Sequence, residues 1–217
     1  MICPGINFNG TGFYLTVPLY QRMLNMNKKL YEVADVKFCT ITPSRAKKQE
    51  TISKWYACAN FMPDNVIVGE VSESYIAPEK ELIIRKGDIV IKRIAPLFVN
   101  YINDIQDGIY AGNNLILVTA NENVYSKYLA MILNDKIKAL SDASSVGAVM
   151  KSVSRGDLEQ MIIPIPEFNK QIVLGDAWYC SIELKKMRNR LNELEHTKVN
   201  HDLIQSINMS NGGNGNG

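Results

Sequence analysis

The feature that most constrains this chain is the change of sequence pattern at Pro166. Before it, short apolar runs alternate with turns, and the segment IIPIP at 162–166 places two prolines within an apolar run. From about residue 169 to residue 207 there is no proline, and Gly175 is the only glycine. Because proline is not tolerated in a helix interior, we predict that a long helix starts afresh beyond Pro166.

An apolar stripe runs along this predicted helix. Its members recur at alternating steps of three and four, which are the a and d positions of a heptad: Ala177, Cys180, Leu184, Met187, Leu191 and Leu194. The same positions continue through the polar residues Lys198 and His201. A helix of roughly 39 residues would be about 58 Å long, which exceeds one small domain. The stripe therefore predicts a partner helix, either from a second copy of this chain or from another protein.

The sequence before Pro166 is typical of a mixed α and β domain. Strand composition is found at Val33 to Ile41, at 65–71, at Leu115 to Ala120, and in two runs separated by the Lys86–Asp88 turn. The three-and-four spacing of apolar residues between Tyr128 and Leu140 predicts a helix that Ser126 could cap. A short helical turn is predicted at 154–161.

The fold class that we predict is α+β, with a mixed domain followed by a long coiled-coil-forming C-terminal helix. We divide the chain into an N-terminal segment of unclear role (1–28), a mixed domain (29–166), a helical region (167–207) and a disordered tail (208–217).

Charge and cysteine usage limit the classes of function. The net charge of +2 indicates no bulk polycation, so a role in nucleic-acid binding would depend on local clusters of charge. The four cysteines form no CxxC or Cys/His motif, so we expect reduced thiols and no zinc site. No apolar run reaches the length of a membrane span, and we expect a cytoplasmic protein.

Motifs for catalysis are weak. His196 and His201 are five residues apart, so they share no helix face for a metal pair. Ser44 and Lys47 have the spacing of an acylating serine motif but lack its companion elements. Pro63-Asp64 has the form of a nuclease motif, yet its nearest Glu-x-Lys, at 183–185, falls in the predicted coiled coil. We therefore predict no catalytic residue and no metal site.

Local clusters of cations are the stronger signal. Five cations lie between residues 37 and 54 against the single acid Glu50, and Trp55 and Tyr56 follow. Further cations end an apolar run and lie in a loop of small residues, and an Asn pair precedes a predicted strand. The candidate DNA-binding residues are Arg45, Lys47, Lys48, Lys92, Arg93, Asn113, Asn114, Lys151, Ser152 and Arg155. The alternatives are solvated surface loops for the cations and an Asx turn for the Asn pair.

An ordered series of motifs gives these clusters a context. "LIIRKGDIVIKR", "GIYAGNNLILV", "YSKYLAMILN" and "GAVMKSVSRGDLEQMIIPIPEFNKQ" are followed by the long heptad helix. Together they resemble the specificity (S) subunit of type I restriction-modification systems, over residues 29 to 205. One departure is that the Glu-Gln pair usual in that family reads Lys170-Gln171 here.

The resemblance implies a non-catalytic recognition subunit. Full S subunits carry two target-recognition domains and two long helices, so this chain is similar to half of one and is expected to form a homodimer or to pair with another S-type chain. The expected partners are double-stranded DNA, read as a half-site, methyltransferase (M) subunits and a restriction (R) subunit. S-adenosylmethionine, ATP and Mg would be used in DNA methylation and cleavage by the partner subunits, with no cofactor bound by this chain. The alternative is a coiled-coil protein-interaction adaptor that does not bind DNA.

Overall fold

The computed structural model describes residues 26–39, 48–76, 82–142 and 152–212. Eleven strands are present in these ranges: β1 Met26–Lys29, β2 Ala34–Phe38, β3 Lys48–Tyr56, β4 Phe61–Met62, β5 Val66–Ile67, β6 Ser72–Ile76, β7 Ile89–Lys92, β8 Phe98–Tyr101, β9 Ile109–Ala111, β10 Leu115–Ala120 and β11 Ile162–Ile165. The α-helices in these ranges are α1 Leu30–Val33, α2 Ser126–Asp142, α3 Arg155–Glu159 and α4 Phe168–Gly212, and a 3-10 turn spans Cys58–Asn60. This α+β arrangement with a long C-terminal helix confirms the predicted fold class.

A four-stranded antiparallel sheet, in the order β2-β10-β7-β8, lies at the centre of the domain. One face of the domain core contains α2, whose Tyr128, Leu129 and Leu133 are fully buried. A second buried cluster, which includes Val90, Phe61 and Leu117, covers the other side. Because the sheet is buried on both faces, β7 is a continuous apolar run rather than an alternating one.

A second sheet, in the order β6-β3-β9, flanks this core. Strand β3 pairs antiparallel with β6 and parallel with β9. Gly112 follows β9 at a close approach to β3, since a Cβ there would lie 2.7 Å from the carbonyl oxygen of Tyr56. The close contact fixes where the chain passes from β9 into β10.

The predicted Lys86–Asp88 turn is present, but only one of its two apolar runs is a strand of a sheet. Gly87 has φ +94, a conformation that glycine adopts without strain. The run after it is β7, whereas Ile83 in the run before it makes only an isolated bridge to Tyr110. Asp88 is 2% exposed and accepts a hydrogen bond from the Thr119 hydroxyl at 2.8 Å.

Pro164 lies within β11 and Pro166 directly follows it, and both are compatible with regular structure because, among the described residues, β11 pairs with β1 alone. It forms a two-stranded antiparallel sheet with β1, in which Pro164 lies opposite Asn27. The carbonyl oxygen of Pro164 accepts a hydrogen bond from the buried Tyr128 hydroxyl at 2.7 Å. The proline segment is thus tied to α2 before the chain enters α4.

Helix α4 is 45 residues long, which corresponds to about 68 Å. The predicted long helix beyond Pro166 is therefore present, and it extends past Ile207 to Gly212. The rest of the predicted tail, 213–217, lies outside the described residues, as does 1–25 of the N-terminal segment. The first part of α4 packs against α2. Ser126, which was predicted to cap α2, is instead the first residue of α2.

Candidate nucleic-acid interface

One end of the four-stranded sheet gathers several of the predicted basic residues. Lys92 ends β7 and lies opposite Leu115, the first residue of β10. The backbone nitrogen of Cys39, just after β2, donates to the carbonyl oxygen of Leu115 at 2.9 Å. The chain then returns to this end after α2, where Ser152 forms an isolated bridge with Ile94. Three segments that are distant in sequence therefore meet here.

Arg93 is held at this end by both its backbone and its side chain. Its backbone nitrogen donates to the carbonyl oxygen of Asn114 at 2.9 Å, and its carbonyl oxygen accepts from the backbone nitrogen of Val153 at 3.0 Å. Its Nε donates to the carbonyl oxygen of Val153 at 3.2 Å. The guanidinium carbon lies 5.8 Å from the centre of the Phe38 ring.

Arg155 reaches the same ring from the short helix α3. Its guanidinium carbon lies 4.7 Å from the centre of Phe38. Ser154 caps α3 in a reciprocal arrangement, because its hydroxyl accepts from the backbone nitrogen of Asp157 at 3.1 Å and the Asp157 carboxylate accepts from Ser154. Besides the Phe38 ring, the head group of Arg155 makes one ion pair among the described residues, with Glu159 at 3.4 Å, and its side chain is 61% exposed.

We call Arg93 and Arg155, which both contact the Phe38 ring, the arginine pair. Each arginine gains a cation–π interaction with the ring, but the two positive charges repel each other. A bound anion would remove that repulsion. The arrangement can therefore bind phosphate, or hydrogen-bond acceptors on a base edge, at the end of the sheet.

The other described candidates lie around the arginine pair with different roles. Lys92 places its Nζ 5.1 Å from the centre of the Phe98 ring. Asn114 has φ +64 and accepts from Arg93 through its backbone, which agrees with the turn alternative for the Asn pair. Asn113 lies in the same turn and is partly buried, and Ser152 is exposed.

Several candidates fall where the structure gives no side chain. Arg45, Lys47 and Lys151 lie outside the described residues, and Lys48 begins β3 with only its backbone described. Their assignment stays a prediction from sequence. The described residues that adjoin two of these segments in the chain, Cys39 and Ser152, are both at the end of the sheet where the arginine pair lies.

Sequence reasoning missed Phe38. It lies at the end of β2, and its distance in sequence from Arg93 and Arg155 hides their shared contact. The only signal in the sequence is an aromatic residue directly after Lys37, inside the strand predicted at Val33 to Ile41. Lys37 itself pairs with Asp35 at 2.9 Å.

The predicted partner stripe lies on α4, away from its contact with the domain. Towards the domain, α4 presents Gly175, Trp178 and Ile182. The predicted residues occupy another face: Leu184, Met187, Leu191 and Leu194 are 43%, 63%, 55% and 51% exposed, Ala177 is exposed and Cys180 is partly buried. The domain leaves most of this stripe uncovered.

The start of α4 is locked to the domain by polar contacts. Gln171 is 1% exposed; its Oε1 accepts from the backbone nitrogen of Tyr125 at 3.0 Å, and its Nε2 donates to the carbonyl oxygen of Pro166 at 2.9 Å. Asp176 accepts from Lys127 at 2.7 Å and from the Tyr125 hydroxyl at 2.8 Å. Burial alone would raise the pKa of Asp176, but these hydrogen bonds outweigh it and the pKa lies below its usual value.

Of the weak catalytic motifs, the Ser44 and Lys47 pair lies outside the described residues, and the nuclease-like residues make ion pairs. The Nζ of Lys185 lies 2.5 Å from the Asp64 carboxylate and links α4 to the β4–β5 turn, whereas Glu183 pairs with Lys186 of the same helix at 2.9 Å. Among the described residues, no group of three or more His, Cys, Asp or Glu side chains could hold a metal ion. Within the same ranges, no helix has the length and hydropathy needed to cross a membrane.

Comparison with known proteins decides the family. The family model described as "Type I restriction modification DNA specificity domain" matches residues 24–200, which include both the arginine pair and most of α4. The chain belongs to this family. The matched range spans both the mixed domain and the first part of the long helix.

Solved structures give the same fold for this specificity domain. One similar chain comes from a structure that describes the structural basis of complex assembly and conformational transition of the type I R-M system. That chain is 21% identical, with a TM-score of 0.62, and the match covers 84% of this chain and 44% of that chain. The HsdS subunit from Thermoanaerobacter tengcongensis is also 21% identical, with a TM-score of 0.54, and coverage is 74% and 37%. The specificity domain thus spans less than half the length of these solved chains. No curated protein sequence matches it significantly.

Proposed function

We propose that this chain is the DNA-recognition part of a type I restriction-modification specificity subunit, and that the end of the sheet around the arginine pair contacts DNA. One observation carries the proposal. Arg93, Arg155 and the Asn114 turn come from three separate segments, and they converge on one surface. That surface carries cations for phosphates and donors for base edges, which together are what a protein needs to read duplex DNA.

The chain would act without catalysing a reaction itself. The ion pairs made by Asp64, Lys185 and Glu183 leave the nuclease-like motif in a structural role. In this proposal, S-adenosylmethionine, ATP and Mg are bound by methyltransferase and restriction subunits. This chain recognises the target sequence and supplies a docking helix.

Binding to duplex DNA tests the DNA interface. Affinity should fall steeply as salt rises, because cations that contact phosphates release counterions. Replacing both Arg93 and Arg155 by alanine should weaken binding roughly tenfold or more. The matched control is Arg190→Ala, since Arg190 is 70% exposed on the distal part of α4 and should leave binding unchanged.

The alternative function, a protein-interaction adaptor, predicts a different result. Such a chain would bind duplexes weakly, with no dependence on sequence or salt, and the double variant would behave like the wild type. That outcome would refute DNA recognition and would leave α4 as the functional part.

We also propose that the exposed stripe of α4 pairs with the same stripe of a second S-type chain, in the simplest case a second copy of this one. A row of apolar side chains is exposed on this face, and such a row indicates a helix that pairs with another: Leu184, Met187, Leu191 and Leu194. Pairing around a two-fold axis would carry two DNA interfaces and would suit a palindromic split target.

Sedimentation at micromolar concentration tests the pairing. Leu191→Glu places a charge in the middle of the stripe and should shift the population to monomer. Leu203→Glu is the matched control, since Leu203 is equally exposed, at 58%, but lies off the heptad positions. A wild-type chain that sediments as a monomer would refute the homodimer, and mixing with another S-type chain would then test heterologous pairing.

Methyltransferase recruitment is tested by methylation mapping in a host with and without the gene. A motif methylated only when the chain is present would support recruitment. The same experiment gives the target sequence.

A further inference from the structure

The two arginines that share Phe38 are restrained to different degrees. Arg93 is held at its backbone nitrogen, its carbonyl oxygen and its Nε, by Asn114 and Val153. Both anchors adjoin the core, because Val153 is 1% exposed and Asn114 directly precedes Leu115, which is fully buried. Arg155 is the first residue of a five-residue helix, and among the described residues its head group contacts the Phe38 ring and Glu159, the latter through a 3.4 Å ion pair.

The bond from Nε decides which edge of the Arg93 guanidinium is available. A guanidinium has two edges that can donate in parallel, one formed by Nε with one Nη and the other formed by both Nη atoms. The Val153 carbonyl occupies Nε, and no described residue accepts from the Nη atoms of Arg93. The end-on edge is therefore presented with its plane and direction already set.

A planar fork held in advance suits a base better than a phosphate. Guanine presents O6 and N7 as two coplanar acceptors in the major groove, and an arginine fork matches both. Adenine offers an acceptor beside a donor there, so the same fork meets one mismatched group. Holding the guanidinium in place also lowers the conformational entropy that is lost on binding. A base whose acceptors do not line up with the held guanidinium then loses more binding free energy.

A phosphate makes the opposite demand. Its oxygens accept from many directions, and the DNA backbone shifts with sequence, so a mobile cation follows it best. Arg155, 61% exposed and weakly paired, fits that demand. The Phe38 ring lies against both guanidinium groups, so the two contacts would fall on neighbouring parts of the same duplex.

We infer that Arg93 is a specificity-determining residue that reads a guanine through its two Nη atoms, and that Arg155 contacts a backbone phosphate. This inference rests on the proposed DNA-recognition function and assigns separate roles within that site.

The test selects duplexes from a random pool with the full chain, and compares the wild type with Arg93→Lys, Arg155→Ala and the control Arg190→Lys. Arg93→Lys keeps the charge but removes the fork. It should reduce the preference for guanine at one position of the selected motif by roughly 5- to 150-fold and leave the salt dependence unchanged. Arg155→Ala should keep the motif, weaken binding evenly across sequences, and reduce the slope of log affinity against log salt by about 1.

A second measurement starts from the wild-type chain, and comparison with Arg93→Lys then assigns the effect to Arg93. Replacing the critical guanine by 7-deazaguanine removes the N7 acceptor and keeps the base pair. Wild-type affinity should fall several-fold, and the affinity of Arg93→Lys should hardly change.

The outcomes separate this inference from the function on which it rests. A wild-type chain that selects no motif overturns both. A wild-type chain with a clear motif, which Arg93→Lys leaves intact and 7-deazaguanine does not affect at any position, overturns only the role of Arg93. A change of motif in Arg155→Ala overturns the phosphate role of Arg155.

Discussion

Gly175 lies where α4 crosses α2, and its replacement by alanine tests how closely the two helices touch. A Cβ at this position would lie 2.6 Å from the backbone nitrogen of Tyr128, 3.0 Å from the carbonyl carbon of Lys127 and 3.0 Å from Cδ1 of Tyr125. Two of the three atoms belong to the backbone and cannot rotate away. The helices would have to separate, or one of them would have to bend.

The magnitude follows from two opposed effects. In an open helix interior, alanine is more favourable than glycine by about 0.8–1 kcal/mol. Forcing an extra methyl group into a packed contact costs about 1–3 kcal/mol, and backbone neighbours place this site in the upper part of that range. We expect a net loss of about 1–2 kcal/mol, or a fall in Tm of roughly 2–8 °C for a chain of this size.

Thermal and urea unfolding measure this loss, and Gly156→Ala is the matched control. Gly156 is also helical, in α3, but a Cβ there would meet only the Ser154 hydroxyl oxygen, at 3.9 Å. The control should be neutral or more stable than the wild type. If Gly175→Ala were as stable as Gly156→Ala, α4 would not approach α2 as closely as the structure has it.

Three further substitutions test polar groups in the core and at the junction of α2 with α4. Tyr128→Phe removes the 2.7 Å bond to the carbonyl oxygen of Pro164 and should cost about 1–3 kcal/mol in urea unfolding; no loss would mean that this carbonyl has another partner. Burial raises the pKa of Asp88 above the usual 3.8, so its carboxyl favours the folded state at low pH and this contribution is lost as the pH rises through the raised pKa. Asp88→Asn should flatten that part of the profile of urea midpoint against pH, and an unchanged profile would contradict the assignment. Asp176 has a lowered pKa, so its contribution is lost as the pH falls below 3.8; Asp176→Asn should remove this acid-side loss, with a small effect because the side chain is 44% exposed.

Elements with a strong local pattern could be predicted from the sequence. The strand Leu115–Ala120 has the predicted bounds, and the short helix α3 lies within the helical turn predicted at 154–161. The long helix beyond Pro166 was predicted for the same reason, since proline, glycine and heptad spacing all act over a few residues.

Elements that depend on distant partners were harder to predict. The apolar run before Gly87 has strand composition, yet only Ile83 makes a bridge, because β7 pairs with β8 and β10 instead. Composition shows that a run can be buried; which strand it meets depends on packing across the whole domain.

The sequence by itself predicted a mixed domain up to Pro166 and a long helix beyond it. It also predicted an apolar stripe on that helix that requires a partner helix. Each of these rests on backbone preferences and on periodicity along a single segment. Only the tertiary structure brought Arg93 and Arg155 onto Phe38, gave the Arg93 fork its direction through Val153, and turned the stripe of α4 away from the domain. These outcomes depend on contacts between residues far apart in the chain, which form only when the sheets and helices pack together.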